Sequence, residues 1–265
     1  MLRALLFLLG WVAVASGTEP PARIASYSPG ATQTLLDLGL GGRIVAATRW
    51  CPLPKAHPAA RDCDAFNPDL ETLLRTKPDL VILPRLANPL WAERCERAGL
   101  RVLVLRPESA TSAQQDITSL AQATGRETAA RELIAKTPPP TRATKTLLVI
   151  WDGMMAGPDA YVAWPLRQAG FVSPLATGTW IKLDWETLLK ADPDAVLWVE
   201  SAPENQPISP SEKHLKELSE IVGIKELKLV KSKQVYSTQS GSDWLPGSGL
   251  VQIAEQLRAI RNNLP

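Results

Sequence analysis

DLETLLRTKPDLVI, residues 69–82, returns 115 residues later (184 − 69) as DWETLLKADPDAVL, residues 184–197. Eight of the fourteen positions are identical: Asp69/Asp184, Glu71/Glu186, Thr72/Thr187, Leu73/Leu188, Leu74/Leu189, Pro78/Pro193, Asp79/Asp194 and Val81/Val196. Each copy reads as a helix (ETLL), a Pro-Asp turn and an apolar strand, half of a βαβ unit. Solenoid repeats recur every 20–50 residues or so, so this wider spacing predicts two similar α/β lobes. Two lobes imply a cleft, the usual seat of a small-molecule site. The bland alternative is one common supersecondary unit used twice. The repeated Glu, which the fold does not require, argues against it.

Working outward, strands are expected at 23–28, 43–48, 80–84 and 101–105, with helices at 31–40, 69–76 and 89–99 between them. Strands alternating with helices argue for a parallel, doubly wound sheet. The second lobe should carry strands at 146–151, 195–199 and 234–237, and helices at 161–170, 211–221 and 249–261. Between the lobes, TSAQQDITSLAQATGRETAARELIAK (111–136) reads as the longest helix, with a thin apolar stripe, a weak point at Gly125 and a stop at Pro138–Pro140. At about 1.5 Å per residue it would reach roughly 37 Å, from one lobe to the other. The expected fold is therefore α/β, with two doubly wound parallel-sheet lobes bridged by one long backbone helix. The division is 1–17, 18–110, 111–137 and 138–265.

MLRALLFLLGWVAVASG has the layout of a cleavable signal peptide, with Ala15 and Gly17 placed for cleavage after Gly17. Its apolar run is short for a membrane span, which needs about 20 residues. An exported, periplasmic protein is expected. The net charge is +2 and the basic residues are scattered, which does not suggest nucleic acid. Cys51 and Cys63 share a Pro-rich loop and could pair in an oxidising compartment, whereas Cys95 reads as buried and free. His57 and His214, one per lobe, form no ligand-spaced cluster, so no protein metal site is expected. No GxSxG, HExxH, Walker or GxGxxG motif occurs, so no catalytic residues are assigned.

Nine Trp against three Phe and three Tyr is an unusual balance. In open parallel sheets ligands bind beyond the carboxyl ends of strands. Trp50 and Trp151 sit at such ends, one per lobe, where indoles could cover a flat macrocycle. Trp180 precedes the second repeat, and Trp91, Trp164 and Trp244 fall in or beside loops. Trp185 and Trp198 read as core. Ser28, Pro29 and Gly30 follow the first strand. Arg49 and Arg85 also follow strand ends, where they could pair with ligand carboxylates or stand as solvated surface charges. The candidate ligand residues are thus Ser28, Pro29, Gly30, Arg49, Trp50, Arg85, Trp151, Trp164, Trp180 and Trp244. Few charges among many indoles favour a corrinoid or another large flat ligand over a strongly anionic siderophore.

RIASYSPGATQTLLDLGL (23–40), the two repeat copies, AGLRVLVL (98–105), ATGRETAARELI (123–134) and AGF (169–171) occur in an order that resembles the periplasmic substrate-binding proteins of ABC importers for cobalamin, ferric siderophores and haem. The likeness is nearest to the cobalamin-binding branch. Gln33 stands where that family often has Glu, and the connector before the second lobe is shorter than usual. The resemblance implies ligand held between the lobes and an acid on each lobe docking to arginines of an ABC permease. Those acids match Glu71 and Glu186; each also sits in a first helical turn, where a carboxylate is favoured by the helix dipole. It implies a monomer that has no intrinsic cofactor and carries a metal chelate such as cobalamin. A binding module feeding a sensor, or an exported α/β enzyme with an inter-lobe site, are the alternatives.

Overall fold

A computed structural model describes residues 19–84, 87–105, 109, 111–137, 139–140, 142–202 and 204–264. The expected leader at 1–17 and the candidate Arg85 lie outside the described residues.

Five parallel strands form the first sheet: β1 (Ile24–Ser26), β2 (Ile44–Thr48), β3 (Ala60–Cys63), β4 (Leu80–Leu83) and β5 (Arg101–Val104), in the order β3-β2-β1-β4-β5. Helices α1 (Pro29–Asp37), α2 (Leu70–Arg75) and α3 (Pro89–Arg97) connect them. Successive strand residues point to opposite faces, and both faces here are apolar. Leu80 and Ile82 enter one core with Ile24, Leu35 and Ile117, while Val81 and Leu83 enter another with Ala25, Tyr27 and Trp91. Burial on both sides is what an LVIL strand needs.

Then come α4 (Ser112–Thr124) and α5 (Glu127–Ala135). The expected single connecting helix is therefore two. Gly125 adopts a left-handed φ of +68° at the break, a conformation glycine reaches without a Cβ penalty. Ile117, Leu120 and Ala130 pack into the first core, while Ala113 joins Trp164, Leu250 and Val251. Both helices pack on the first lobe's core, and the start of α4 also meets α6 and α10 of the second, in place of one continuous rod.

The second sheet has β6 (Lys145–Trp151), β10 (Ala195–Ser201) and β12 (Val235–Ser240) as its parallel centre. β7 (Met154–Ala156) pairs antiparallel with β6, β9 (Trp180–Lys182) antiparallel with β7 at one edge, and β11 (Ser209–Pro210) antiparallel with β12 at the other, while β8 (Phe171–Val172) pairs with the start of β6. This sheet is mixed, where an all-parallel one was expected. Helices α6 (Ala163–Ala169) and α10 (Gly249–Asn263) cover one face, and α7 (Trp185–Ala191), α8 (Glu212–Glu220) and α9 (Lys228–Lys231) the other.

The two repeat copies build one device twice. Asp69 and Asp184 cap α2 and α7, each accepting from the two N–H groups two and three residues on. Lys77 and Asp192, at matching positions, both take left-handed φ (48° and 34°) and end the helix before the Pro-Asp turn. The Asp after that proline then ties down the first strand of its sheet. Asp79 accepts from the N–H groups of Ala22 (2.8 Å) and Arg23 (3.0 Å), and Asp194 from the Thr146 N–H (2.7 Å) and hydroxyl (2.9 Å). Burial opposes ionisation of Asp194, but the Thr146 N–H and the Lys228 ammonium outweigh it and hold its carboxyl below the usual range.

The lobes also meet directly. A Cβ on Gly30 would stand 2.2 Å from the Pro246 carbonyl oxygen, and one on Gly247 2.4 Å from that of Gly30, so only glycine fits at either position. The Ser248 N–H donates to Thr34 Oγ1 at 3.0 Å and its hydroxyl to Asp37.

Candidate ligand cleft

Carboxyl ends of strands from both sheets converge on one cavity of about 1150 Å³. The first lobe contributes Tyr27, Ser28 and Pro29 after β1, Thr48 to Pro52 after β2, and Arg61 to Phe66 at the end of β3. The second contributes Trp151 at the end of β6, Ser201 and Ala202 after β10, and Ser240 and Gly241 after β12. This is the placement expected of open α/β sheets. The volume exceeds the roughly 300–1,000 Å³ usual for drug-sized ligands.

Of the ten candidates, Ser28, Pro29, Arg49, Trp50, Trp151 and Trp180 line the cleft. Three stand elsewhere. Gly30 is packed against Pro246 at the seam, where no side chain fits. Trp164 is buried on α6 among Ala113, Leu250 and Val251, because Pro165 and its neighbours start a helix whose apolar face turns inward. Trp244 lies in the second core. Trp91 is likewise core, edge-on to Tyr27 at 6.0 Å. Trp185, read as core, is surface-exposed on α7, while Trp198 is partly buried and stacks on His214 at 4.6 Å.

The second lobe's wall is a linked run of rings. Trp151 meets Trp180 edge-on at 6.1 Å and Trp244 at 6.5 Å, and Trp180 meets Tyr161 at 5.9 Å. The Trp151 indole N–H donates to Ser201 Oγ at 2.9 Å, and that hydroxyl donates to Asp152 Oδ2 at 2.6 Å. One indole is thereby fixed at both its edge and its nitrogen. The first lobe's wall is looser: Trp50 and Phe66 are exposed at the mouth. The Arg49 guanidinium lies 5.1 Å from the Trp50 ring centre, a cation–π distance. Asp64 accepts from the Phe66 and Asn67 N–H groups, a turn that presents Phe66 and holds the Asp64 carboxyl below its ordinary range.

Arg61 is engaged within its own lobe. Arg61 donates to the carbonyls of Leu53 (2.7 Å) and Pro54 (2.8 Å), holding the loop after β2. Cys51 and Cys63 are free and buried, and Thr32 Oγ1 donates to the Cys51 sulfur at 3.0 Å. Burial pushes both thiols up, so they stay protonated at neutral pH. Burial, then the Cys63 sulfur, raises the Tyr27 phenol as well. Among the described residues no group of three His, Cys, Asp or Glu could hold a metal, and no helix is long and apolar enough to cross a membrane.

Sequence inspection missed Tyr27, Tyr161, Phe66 and Arg61. Phe66 had a signal in the Asp-x-Phe spacing of an Asx turn; Tyr161 had none, being read as part of a helix.

Two α/β lobes closing on a large aromatic-walled cavity define a solute-binding protein of the two-lobed class. The chain belongs to the periplasmic binding protein family, whose pattern it matches over residues 24–240. That family consists of substrate-binding proteins, not enzymes. The chain is 22% identical over 260 residues, 90% of its own length and 79% of the other's, to an uncharacterized ABC transporter substrate-binding lipoprotein, YvrC, of Bacillus subtilis. It is 23% identical over 197 residues to a cobalamin-binding protein of Halobacterium salinarum, covering 67% of this chain but only about half (53%) of the relative. The solved periplasmic vitamin B12 binding protein BtuF of Vibrio cholerae superposes with a TM-score of 0.69 at 18% identity, covering 93% of this chain and 99% of that one. Haem-binding and Fe3+-hydroxamate-transport proteins stand among other solved structures with this fold.

Proposed function

We propose that this chain is exported to the periplasm, captures a cobalamin-like corrinoid in the inter-lobe cleft as a monomer, and delivers it to an ABC permease. Residues 18–110 and 138–265 serve as the lobes, and 111–137 as the connector. The observation that carries the ligand assignment is the cavity: large, walled by rings from both lobes, and nearly neutral. Among the described residues its charged lining is Arg49 and Arg61 against Asp62, Asp64 and Asp116, two cations to three anions. A neutral macrocycle suits that wall better than a polyanionic ferric siderophore, which would call for unpaired cations. Ser28, Pro29, Arg49, Trp50, Trp151 and Trp180 are the proposed contacts. Glu71 and Glu186 are the proposed docking acids: both side chains are highly exposed (81% and 72%), each in an i,i+4 pair, with Arg75 at 3.3 Å and Lys190 at 2.7 Å.

Titrating cyanocobalamin into the purified protein while following Trp fluorescence tests the ligand. Saturable quenching at micromolar concentrations is expected, and its absence rules out the corrinoid. The absorbance spectrum of protein purified from native cells discriminates the alternatives, because corrinoid, haem and ferric siderophore absorb in different visible bands. The double substitution Glu71→Ala with Glu186→Ala is expected to abolish uptake and leave quenching unchanged. Undiminished uptake would rule out the docking role of these two acids.

A further inference from the structure

The repeat duplicates more than its acids. Leu74 and Leu189, also 115 residues apart, are identical, and both are left in solvent at 41% and 43% exposure. Each lies three residues after its Glu, hence on the same helical face one turn on. Every other apolar residue shared by the two copies is buried: Leu73 and Leu188 in their cores, Val81 and Val196 in their sheets. Two leucines kept outside at one repeat position, each beside an exposed carboxylate, are not explained by the fold.

The two patches differ in size. At the position of Leu70, which packs against the first lobe's core, the second copy has Trp185, which is 41% exposed. Trp185 and Leu189 are an i,i+4 pair on one face of α7. Beyond them Leu189 reaches Gly223, whose neighbour Val222 is 90% exposed, so the apolar surface continues off the helix. Exposed tryptophan ringed by charge is the usual composition of an interface hot spot.

We infer that Leu74 on one lobe, and Leu189, Trp185 and Val222 on the other, are apolar anchors by which the protein seats on its membrane permease, with the second lobe holding the stronger grip. This rests on the delivery reading and adds to it: the acids steer, the anchors hold. The partner is fixed by charge complementarity and by pairing. Counting Asp69, Glu71 and Arg75 on one side and Asp184, Glu186 and Lys190 on the other, each helix has two anions to one cation around a leucine. The matching surface is a cationic group beside an apolar pocket, presented twice by a partner with two equivalent halves. Charge at an interface rim acts mainly on association rate and salt dependence, and buried apolar anchors on dissociation.

The test uses the mature protein and the ABC permease of its own cell reconstituted in nanodiscs, with association and dissociation rates measured at low and high salt. Trp185→Leu, which restores the residue of the first copy, and Leu189→Ser are each expected to speed dissociation about tenfold, Leu74→Ser about threefold, at either salt concentration. Glu71→Ala and Glu186→Ala should instead slow association, and only at low salt. All these positions are on the surface, so unchanged melting curves and cyanocobalamin quenching will confirm intact lobes. If the apolar variants dissociate like the wild type while the acid variants lose affinity, the anchors are refuted and delivery stands. Loss of equal size at Leu74 and Leu189 refutes the unequal grip. If neither set matters, the delivery reading itself fails.

Discussion

The two lobes have the same frame and different walls. In both, an Asp-capped helix ends in a left-handed residue and a Pro-Asp turn whose carboxylate ties down a central strand. Around the cleft the likeness stops. The first lobe reaches the cavity with the segments flanking edge strand β3, from Arg49 to Phe66, whose two aromatics are exposed. The second reaches it from the sheet itself, with Trp151 and Trp180 held by ring contacts and by the Ser201–Asp152 hydrogen bonds. What is repeated makes the scaffold, and what is not repeated makes the site. One wall is held by ring contacts and hydrogen bonds, whereas the exposed rings of the other would give up more side-chain entropy on binding a ligand.

That comparison can be broken at several points. Gly30→Ala at the seam should have the largest effect. A methyl group 2.2 Å from a carbonyl oxygen must push the lobes apart, costing about 1–3 kcal/mol and several degrees of Tm by calorimetry. Gly42→Ala, with open space around it, is the control that should not move. Next, Asp79→Ala and Asp194→Ala should each cost about 1–2 kcal/mol in urea unfolding. Lying in separate sheets, they should add; markedly unequal costs would show that the repeat is not one device used twice. Trp151→Ala should weaken cyanocobalamin binding about tenfold, roughly 1.4 kcal/mol, and Trp50→Ala only about threefold, because the fixed ring loses less entropy on binding. Equal losses would erase the distinction between the walls.

The smallest effect concerns pH. Burial, and then the nearby Asp37 carboxylate, raise the Asp243 carboxyl. A raised acid destabilises the native state above its folded pKa, where it is ionised, and the penalty is relieved as pH falls through that value. Asp243→Asn should therefore raise Tm at pH 7 by roughly one or two degrees, with the gain fading on acidification. A gain that grew as pH fell would reverse the sign of this effect.

The frame was legible because it is written in period and punctuation. LVIL and AVLW strands, the Pro-Asp turns and the Gly125 weak point each mark a local backbone choice, and the central strands β1, β4, β6 and β10 fall where their apolar runs place them. The missed strands β3, β7, β8, β9 and β11 include every sheet edge but β5. Edge strands are short and half-polar, and they need a neighbour to define them. The site was half legible. Trp50 and Trp151 end parallel strands, so topology alone aims them at the cleft. Trp164 and Trp244 were indistinguishable from them in composition, and only packing of α6 and α10 turns them inward. Trp185 erred the other way: helical position says nothing about which face a partner covers.

At the seam, backbone rests on backbone between Gly30 and Pro246–Gly247, with Ser248 bonded across to Thr34. A joint of that kind works as a pivot. Separation there would strand the polar groups bonded across it. On the proposed function, cargo would enter and leave away from this joint, beside the exposed Trp50 and Phe66.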